Sequence, residues 1–404
     1  MQDYLMKVLS AIMGVITAAA ILFAPLTQKI AQPNFEKAAS FEQVVYDEGQ
    51  LVPELDKDGF WTFTTDRDLK IVQLTDIHIG GGAMSTENDA RALNAVAAML
   101  TAEKPDLVVL TGDMVYPVPF QAGTFNNSIS TKLLISLMEK LGVYYTVCFG
   151  NHDSEFYGTH TREQVSAMWS APELKYSLYQ EGPADVDGFG NHVIKVKNSK
   201  GIVKNAYFML DSNAYTDGDI LGLMHKYDNI HANQIAWYKE TVLAIDAANK
   251  AIDPLCPMFT SLAFFHIPLE EYEIAWEELK ANGYKDTENV KYIDGGYHEP
   301  NEMVCRGIYS ENFFETMLEL GSTKGVFCGH DHINNATIEY KGIRLTYGMS
   351  IDYLAYPTLF AQGAQRGCTV ITLTQNGELS VSLESYYQEK YVTKYPKEDV
   401  AMQW

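Results

Sequence analysis

Positive charge is scarce in this 404-residue chain: 30 Lys plus Arg stand against 52 Asp plus Glu, a formal net charge of −22. Such a field repels a polyanion unless a local positive source, such as bound metal, reverses it. Nucleic acid is therefore not expected as a partner. Cysteine is scarce too. The five cysteines (Cys148, Cys256, Cys305, Cys328, Cys368) are an odd number, so no disulfide framework is implied. Cys148 and Cys328 lie in apolar runs, where a thiol acts as a small hydrophobe, and neither has metal-site spacing. The chain has no internal repeat and no low-complexity tract, and 47% hydrophobic against 20% charged residues excludes a disordered or fibrous class. What remains is a globular chain, read as one large domain.

One long apolar run stands at the start. From Leu5 to Leu26 the only ionisable side chain is Lys7, and Val8 to Ala24 is apolar apart from Ser10, Gly14 and Thr17. Residues 1–26 read as an export signal or a retained N-terminal membrane anchor, with a helix buried on the domain as the third reading. Either exported outcome places the rest outside the cytoplasm. Residues 27–59 are mixed and polar, as expected of a linker; 60–390 hold the main domain and 391–404 a C-terminal tail.

Within the domain, apolar runs alternate with helical patterns: a strand at Phe60–Thr64, then Ile71–Leu74, a helix near Thr86–Thr101, Leu107–Leu110, a helix near Thr131–Leu141, and Val143–Phe149. Leu93, Val96, Ala97 and Leu100 share one helix face, with Ser85 or Thr86 as N-cap. This β-α-β-α-β order favours parallel strands with helical crossovers. Residues 154–232 are irregular around a hairpin of His192–Val196 and Ala206–Leu210, as expected of a lid or pocket wall. A helix near Asn233–Ala248, the run Met258–Phe265 and the run Val326–Cys328 follow. Two hairpins then flank Lys341-Gly342 and Asn376-Gly377, which suggests a second sheet packed on the first.

Each apolar run assigned to the first sheet ends in oxygen or imidazole ligands. The runs lead into Asp76-Ile77-His78, Gly112-Asp113, Gly150-Asn151-His152-Asp153, His266, and Gly329-His330-Asp331-His332. In an open α/β sheet the carboxyl ends of parallel strands converge on one crevice, so five separated motifs can meet there. Singly each is weak, because Gly-Asp at a strand end is more often a turn and a lone His on an apolar strand more often a satisfied core residue. Together they hold five of the ten histidines. Carboxylate, carboxamide and imidazole suit Mn, Fe or Zn better than Ca or Mg, and the inventory suffices for two ions sharing an Asp. The glycines before Asp113, Asn151 and His330 are expected to let the backbone turn sharply.

In this order the motifs resemble the calcineurin-like metallophosphoesterases, and Phe264-Phe265-His266-Ile267-Pro268 with Val326 to Asn334 looks like the branch related to purple acid phosphatases. The resemblance covers roughly residues 68 to 385. It implies an α/β fold, a four-layer αββα sandwich of two mixed β-sheets flanked by helices. It further implies two divalent or mixed-valence transition-metal ions (Fe, Zn or Mn), one held by Asp76, His78, Asp113 and His332, the other by Asp113, Asn151, His266 and His330. A hydroxide between the ions would attack phosphorus in line, with His152 assisting and Asp153 orienting it. Gly112-Asp113-Met114-Val115-Tyr116 also has the spacing that supplies a tyrosinate ligand in purple acid phosphatases. Those proteins lack a histidine where His78 stands, so Tyr116 is read as a packing residue beside the site.

The function implied is a phosphoric ester hydrolase acting on small phosphate esters, with a phosphodiesterase and a non-catalytic phosphate-binding protein as the alternatives. Among the remaining histidines (His160, His192, His225, His231, His298), His192 and His225 are the better candidates to touch substrate, because their segments are expected to overhang the crevice.

Overall fold

The computed structural model describes residues 26–219, 222, 224–356, 366–384 and 387–393. The expected export segment therefore lies outside the described residues, apart from Leu26. Among the described residues no helix is long and apolar enough to cross a membrane. The stretch expected to be a tether begins instead with a helix, α1 (residues 26–40). Its Ala31, Asn34 and Ala38 recur at helical spacing and are buried, and Asn34 Nδ2 donates to the Thr86 carbonyl at 3.0 Å.

A short ribbon of β1 (Glu54–Leu55) and β2 (Trp61–Thr64) leads into β3 (Leu69–Leu74), α2 (Thr86–Glu103), β4 (Leu107–Thr111), α3 (Asn127–Leu141) and β5 (Tyr145–Cys148). β3, β4 and β5 are parallel, as the β-α-β-α-β pattern predicts. After α4 (Arg162–Trp169) comes the predicted hairpin, β6 (His192–Lys197) with β7 (Val203–Met209). The chain continues through α5 (Ala232–Ile252), β8 (Thr260–Phe264), α6 (Glu270–Ala281), β9 (Val290–Asp294), α7 (Phe313–Leu320) and β10 (Thr323–Cys328). It closes with the hairpins β11 (Thr337–Tyr340) with β12 (Ile343–Tyr347), and β13 (Cys368–Leu373) with β14 (Leu379–Glu384).

Two mixed sheets result, ordered β1-β2-β6-β7-β8-β10-β12-β11-β9 and β14-β13-β3-β4-β5. Two sequence expectations change here. The runs before His266 and His330 are β8 and β10 of the nine-stranded sheet, not part of the sheet that carries Asp76 and Asp113. Conversely, only the first late hairpin joins that second sheet. β13 pairs antiparallel with β3, Ile371 opposite Ile71, and so covers an edge of β3 that would otherwise stand open.

Three cores separate four layers. Val72, Leu74, Val108 and Leu110 pack under Leu93, Val96, Leu133 and Leu137 of α2 and α3. The opposite faces of the same strands, with Ile71 and Val109, meet Tyr207, Leu262, Phe264 and Phe327 of the second sheet. Phe208, Ala263 and Val326 turn outward onto Tyr238, Tyr272 and Phe313 of α5, α6 and α7. Strands buried on both faces explain the near-continuous apolar runs in the sequence. The fold is α/β, with two mixed sheets flanked by helices. Polar threads cross the seam between the sheets: Gln73 Nε2 donates to the Cys328 carbonyl at 3.0 Å, Cys148 Sγ to the Phe264 carbonyl at 3.2 Å, and Ile351 N to the Thr75 carbonyl at 3.3 Å.

Candidate metal centre

At this seam the strand ends bend sharply. Asp76, His78, Asp113 and His330 all have positive φ (49°, 54°, 51° and 76°), a region that costs a non-glycine residue about 1–3 kcal/mol and persists only when its surroundings impose it. Of the glycines expected to supply the turns, only Gly112 itself has positive φ (91°). Gly150 and Gly329 are needed for close approach: a β-carbon at 150 would strike Asp113, and one at 329 would strike Thr75 and Asp76.

The bends bring the five motifs together. One carboxylate oxygen or ring nitrogen from each of Asp76, His78, Asp113 and His332 lies within 4.8 Å of the others, and the same holds for Asp113, His266 and His330. Asp113 belongs to both clusters. Its Oδ2 is 3.6 Å from His78 Nε2 and 3.2 Å from His266 Nε2. His332 Nε2 is 3.6 Å from Asp76 Oδ1, and His330 Nδ1 is 3.3 Å from His266 Nε2. Each cluster draws on both sheets, and all the named side chains are buried, His330 and His332 marginally less than the rest. Asn151 is fixed beside Asp113, because its neighbour His152 donates its backbone N–H to Asp113 Oδ1 at 2.8 Å.

The donor set fits a pair of borderline cations. Asp113 Oδ2, Asn151 Oδ1 and His78 Nε2 are buried without a hydrogen-bond partner among the described residues, and buried polar atoms otherwise find one. Electrostatics point the same way. Burial alone would raise Asp113, but His266 and His152 outweigh it and hold the carboxyl well below the usual range. Burial would likewise lower His266, yet Asp113 lifts it to about 9. Strongly opposed charges of this kind mark functional sites.

Around the clusters, the structure corrects one assignment and supplies two residues the sequence reading missed. Asp153 does not orient His152. Its oxygens accept the backbone N–H groups of Asp113, Val115 and Gly150 at 3.1, 3.1 and 2.8 Å, bracing the bent strand ends, while burial and the Asp113 charge push its carboxyl up to about 7. His152 is oriented by Glu155, whose Oε1 lies 2.7 Å from Nδ1. The same oxygen accepts the Tyr215 hydroxyl at 2.9 Å, and that hydroxyl accepts from Asn151 Nδ2 at 3.1 Å. This chain commits the Asn151 amide nitrogen outward and leaves Oδ1 for the site. The second missed residue is Asp352, fully buried between His78 and His332.

Over residues 69–334 the sequence matches the family described as Calcineurin-like phosphoesterase. The chain belongs to that family. Among its relatives, "Probable inactive purple acid phosphatase 29" of Arabidopsis thaliana is 31% identical over 316 residues, 73% of this chain and 74% of the relative. "Phosphatase DCR2" of Saccharomyces cerevisiae is 28% identical over 289 residues, 67% of this chain and 45% of the relative. A solved dimetal phosphatase from Danio rerio aligns over 79% of this chain and 100% of its own, with a TM-score of 0.47 and 12% identity.

In this member of the family, tyrosines lie against the histidines at the mouth. Tyr116 lies against His78 and His152 (ring centroids 5.0 and 4.8 Å), Tyr227 against His330 (4.3 Å) and Tyr356 against His332 (4.7 Å). The Tyr116 hydroxyl donates to Gln121 Oε1 at 3.1 Å. Of the two histidines expected to overhang the crevice, His225 stacks on Tyr227 at 6.0 Å. His192 does not reach it: buried in β6, its ring lies 2.6 Å from Thr146 Oγ1 and 2.7 Å from the Gly190 carbonyl.

Proposed function

We propose that this chain is a binuclear-metal phosphoric ester hydrolase favouring small phosphomonoesters. Asp76, His78, Asp113 and His332 would hold one ion, and Asp113, Asn151, His266 and His330 the other. The observation that carries the reading is the meeting of Asp76, His78, His266, His330 and His332, from both sheets, around the shared carboxylate of Asp113, its Oδ2 otherwise unpartnered, with Asn151 beside it. When bound, two such ions supply Lewis-acid charge for the attacking and leaving oxygens and lower the pKa of a water.

The chain's own groups do the rest. His152 reaches the mouth with its side chain a quarter exposed, and Nε2 lies 4.0 Å from Asp113 Oδ2. Burial would lower this ring, but Asp113 first and Glu155 next hold its proton above the ordinary histidine range. Held by Glu155 at the mouth, the ring is placed to stabilise charge on a phosphoryl oxygen or to protonate the leaving oxygen.

Metal analysis joined to turnover of mono- and bis-aryl phosphates tests this reading. Two ions per chain with faster monoester hydrolysis is the expected result, and faster bis-ester turnover would make the protein a phosphodiesterase. The word "inactive" in the Arabidopsis relative's name favours a second reading, a non-catalytic phosphate-binding protein. Metal-loaded protein that binds phosphate yet turns over no ester would establish that reading. Against it stands the complete donor set, with no ligand or proton donor missing. Export rests on the apolar run Val8–Ala24 and is tested by fractionating cells for the tagged chain.

A further inference from the structure

Behind the two clusters, the ring nitrogens that face away from the ligand space are held in different ways. A histidine ligates through one nitrogen, and the hydrogen bond made by the other decides which one is free. For His266 the partner is backbone: Nδ1 lies 2.9 Å from the Thr111 carbonyl, which leaves Nε2 toward Asp113. For His78 and His332 it is one side chain. Asp352 Oδ1 lies 3.2 Å from His78 Nδ1, and Oδ2 lies 3.1 Å from His332 Nδ1, both contacts bent from a straight N–H···O line.

The carboxylate is itself tightly held. Its oxygens accept the backbone N–H groups of Leu354 at 2.8 Å and of Ala355 and Tyr356 at 2.7 Å, and its own N–H donates to the Asp76 carbonyl at 2.9 Å. The loop thus wraps its first side chain and carries Tyr356 onto His332.

We propose that Asp352 is the positioning residue of the first cluster: one carboxylate holds the Nδ1 protons of His78 and His332 together and turns both Nε2 atoms to the ligand space. The inference rests on the reading of the clusters as an ion pair site. It separates the clusters chemically, since only in the first does one removable side chain stand behind two imidazoles, whereas His266 is backed by a peptide carbonyl. Asp352→Asn makes the difference visible. An amide offers one acceptor and one donor, so one of the two rings meets an N–H where it presents its own. That ring must move its proton to Nε2, where it blocks the ligand lone pair, or rotate away.

The test is titration of the full-length protein with Zn²⁺ against a chelating competitor, wild type beside Asp352→Asn. The expected result is two sites in the wild type, and in the variant one of them weakened by about 10–100-fold with the other within about threefold. Equal affinities at both sites in the two proteins would overturn the role of Asp352 alone. A wild type that binds no Zn²⁺ would overturn the hydrolase reading and the inference with it. Should the variant not fold, long-range ¹H–¹⁵N correlations on the Zn²⁺-loaded wild type decide instead. Protons on Nδ1 of both His78 and His332 support the role, and a proton on Nε2 of either overturns it.

Discussion

The two clusters share Asp113 and little else. In the first, a carboxylate stands behind two imidazoles; in the second, a peptide carbonyl stands behind His266, and the Tyr227 ring packs against His330. A backbone acceptor survives every substitution at its own position, whereas a carboxylate is one codon from loss. The backing of His266 is therefore the sturdier, whereas a single change at Asp352 removes the support of His78 and His332 together.

The strongest challenge to this contrast is Asp113→Asn, which touches both sides. We expect loss of both ions and a fall in aryl phosphate hydrolysis of roughly 10³-fold or more, with the far-UV circular dichroism unchanged. Undiminished turnover would end the hydrolase assignment. Next in size is Glu155→Gln. It spares every donor of either cluster but loosens His152, so kcat should fall about tenfold while Zn²⁺ stoichiometry holds. A loss of ions in this variant would move Glu155 into the second cluster, through Tyr215 and Asn151.

Tyr116→Phe is expected to change kcat by less than about twofold, because the hydroxyl serves Gln121 and the ring stays against His78 and His152. The iron-loaded protein should show no tyrosinate charge-transfer band. Such a band, vanishing in the variant, would place Tyr116 in the first cluster in competition with His78.

His192 sharpens the contrast from outside. Like His266 it is backed by a carbonyl, but no carboxylate faces its other nitrogen, and burial drives its pKa down to about 4 where Asp113 lifts His266 to about 9. The unfolded chain takes up this proton below about pH 6.5 and the folded one refuses it to about pH 4. The stabilising effect is thus whole above pH 6.5 and shrinks as pH falls. Between pH 7 and 5 this amounts to roughly 2 kcal/mol, and urea unfolding of His192→Gln should show a pH dependence flatter by that amount. An unchanged slope would mean the ring is protonated inside the fold.

The clusters were readable because their members follow directly on apolar runs, and strand-end geometry forces such residues into one crevice. Asp352 and Glu155 follow no such rule. Each is an acidic residue in an irregular loop: Asp352 meets ring nitrogens that arrive from elsewhere in the chain, and Glu155, three residues after His152, has no strand end of its own to mark it. The extra reach of the glycines was misjudged for the same reason: nothing local to Gly329 announces that Thr75 will press against it. In the fold, the β3-β4-β5 unit was legible from alternating apolar runs and helices. The destination of the β13–β14 hairpin was not, because its turn specifies the pairing of its own strands and leaves open which sheet edge receives them. Helix α1 carried its signal in Ala31, Asn34 and Ala38, overshadowed by the polar residues between them.

Because each cluster takes donors from both sheets, cations captured there would rivet one half of the sandwich to the other. Shape and supply then become linked. At a free cation level a hundred times the dissociation constant, the fold gains about 2.7 kcal/mol per site. A chain secreted into cation-poor surroundings would be left to hold its two sheets together by apolar contact and a few polar threads, and would open first along the line where its chemistry belongs.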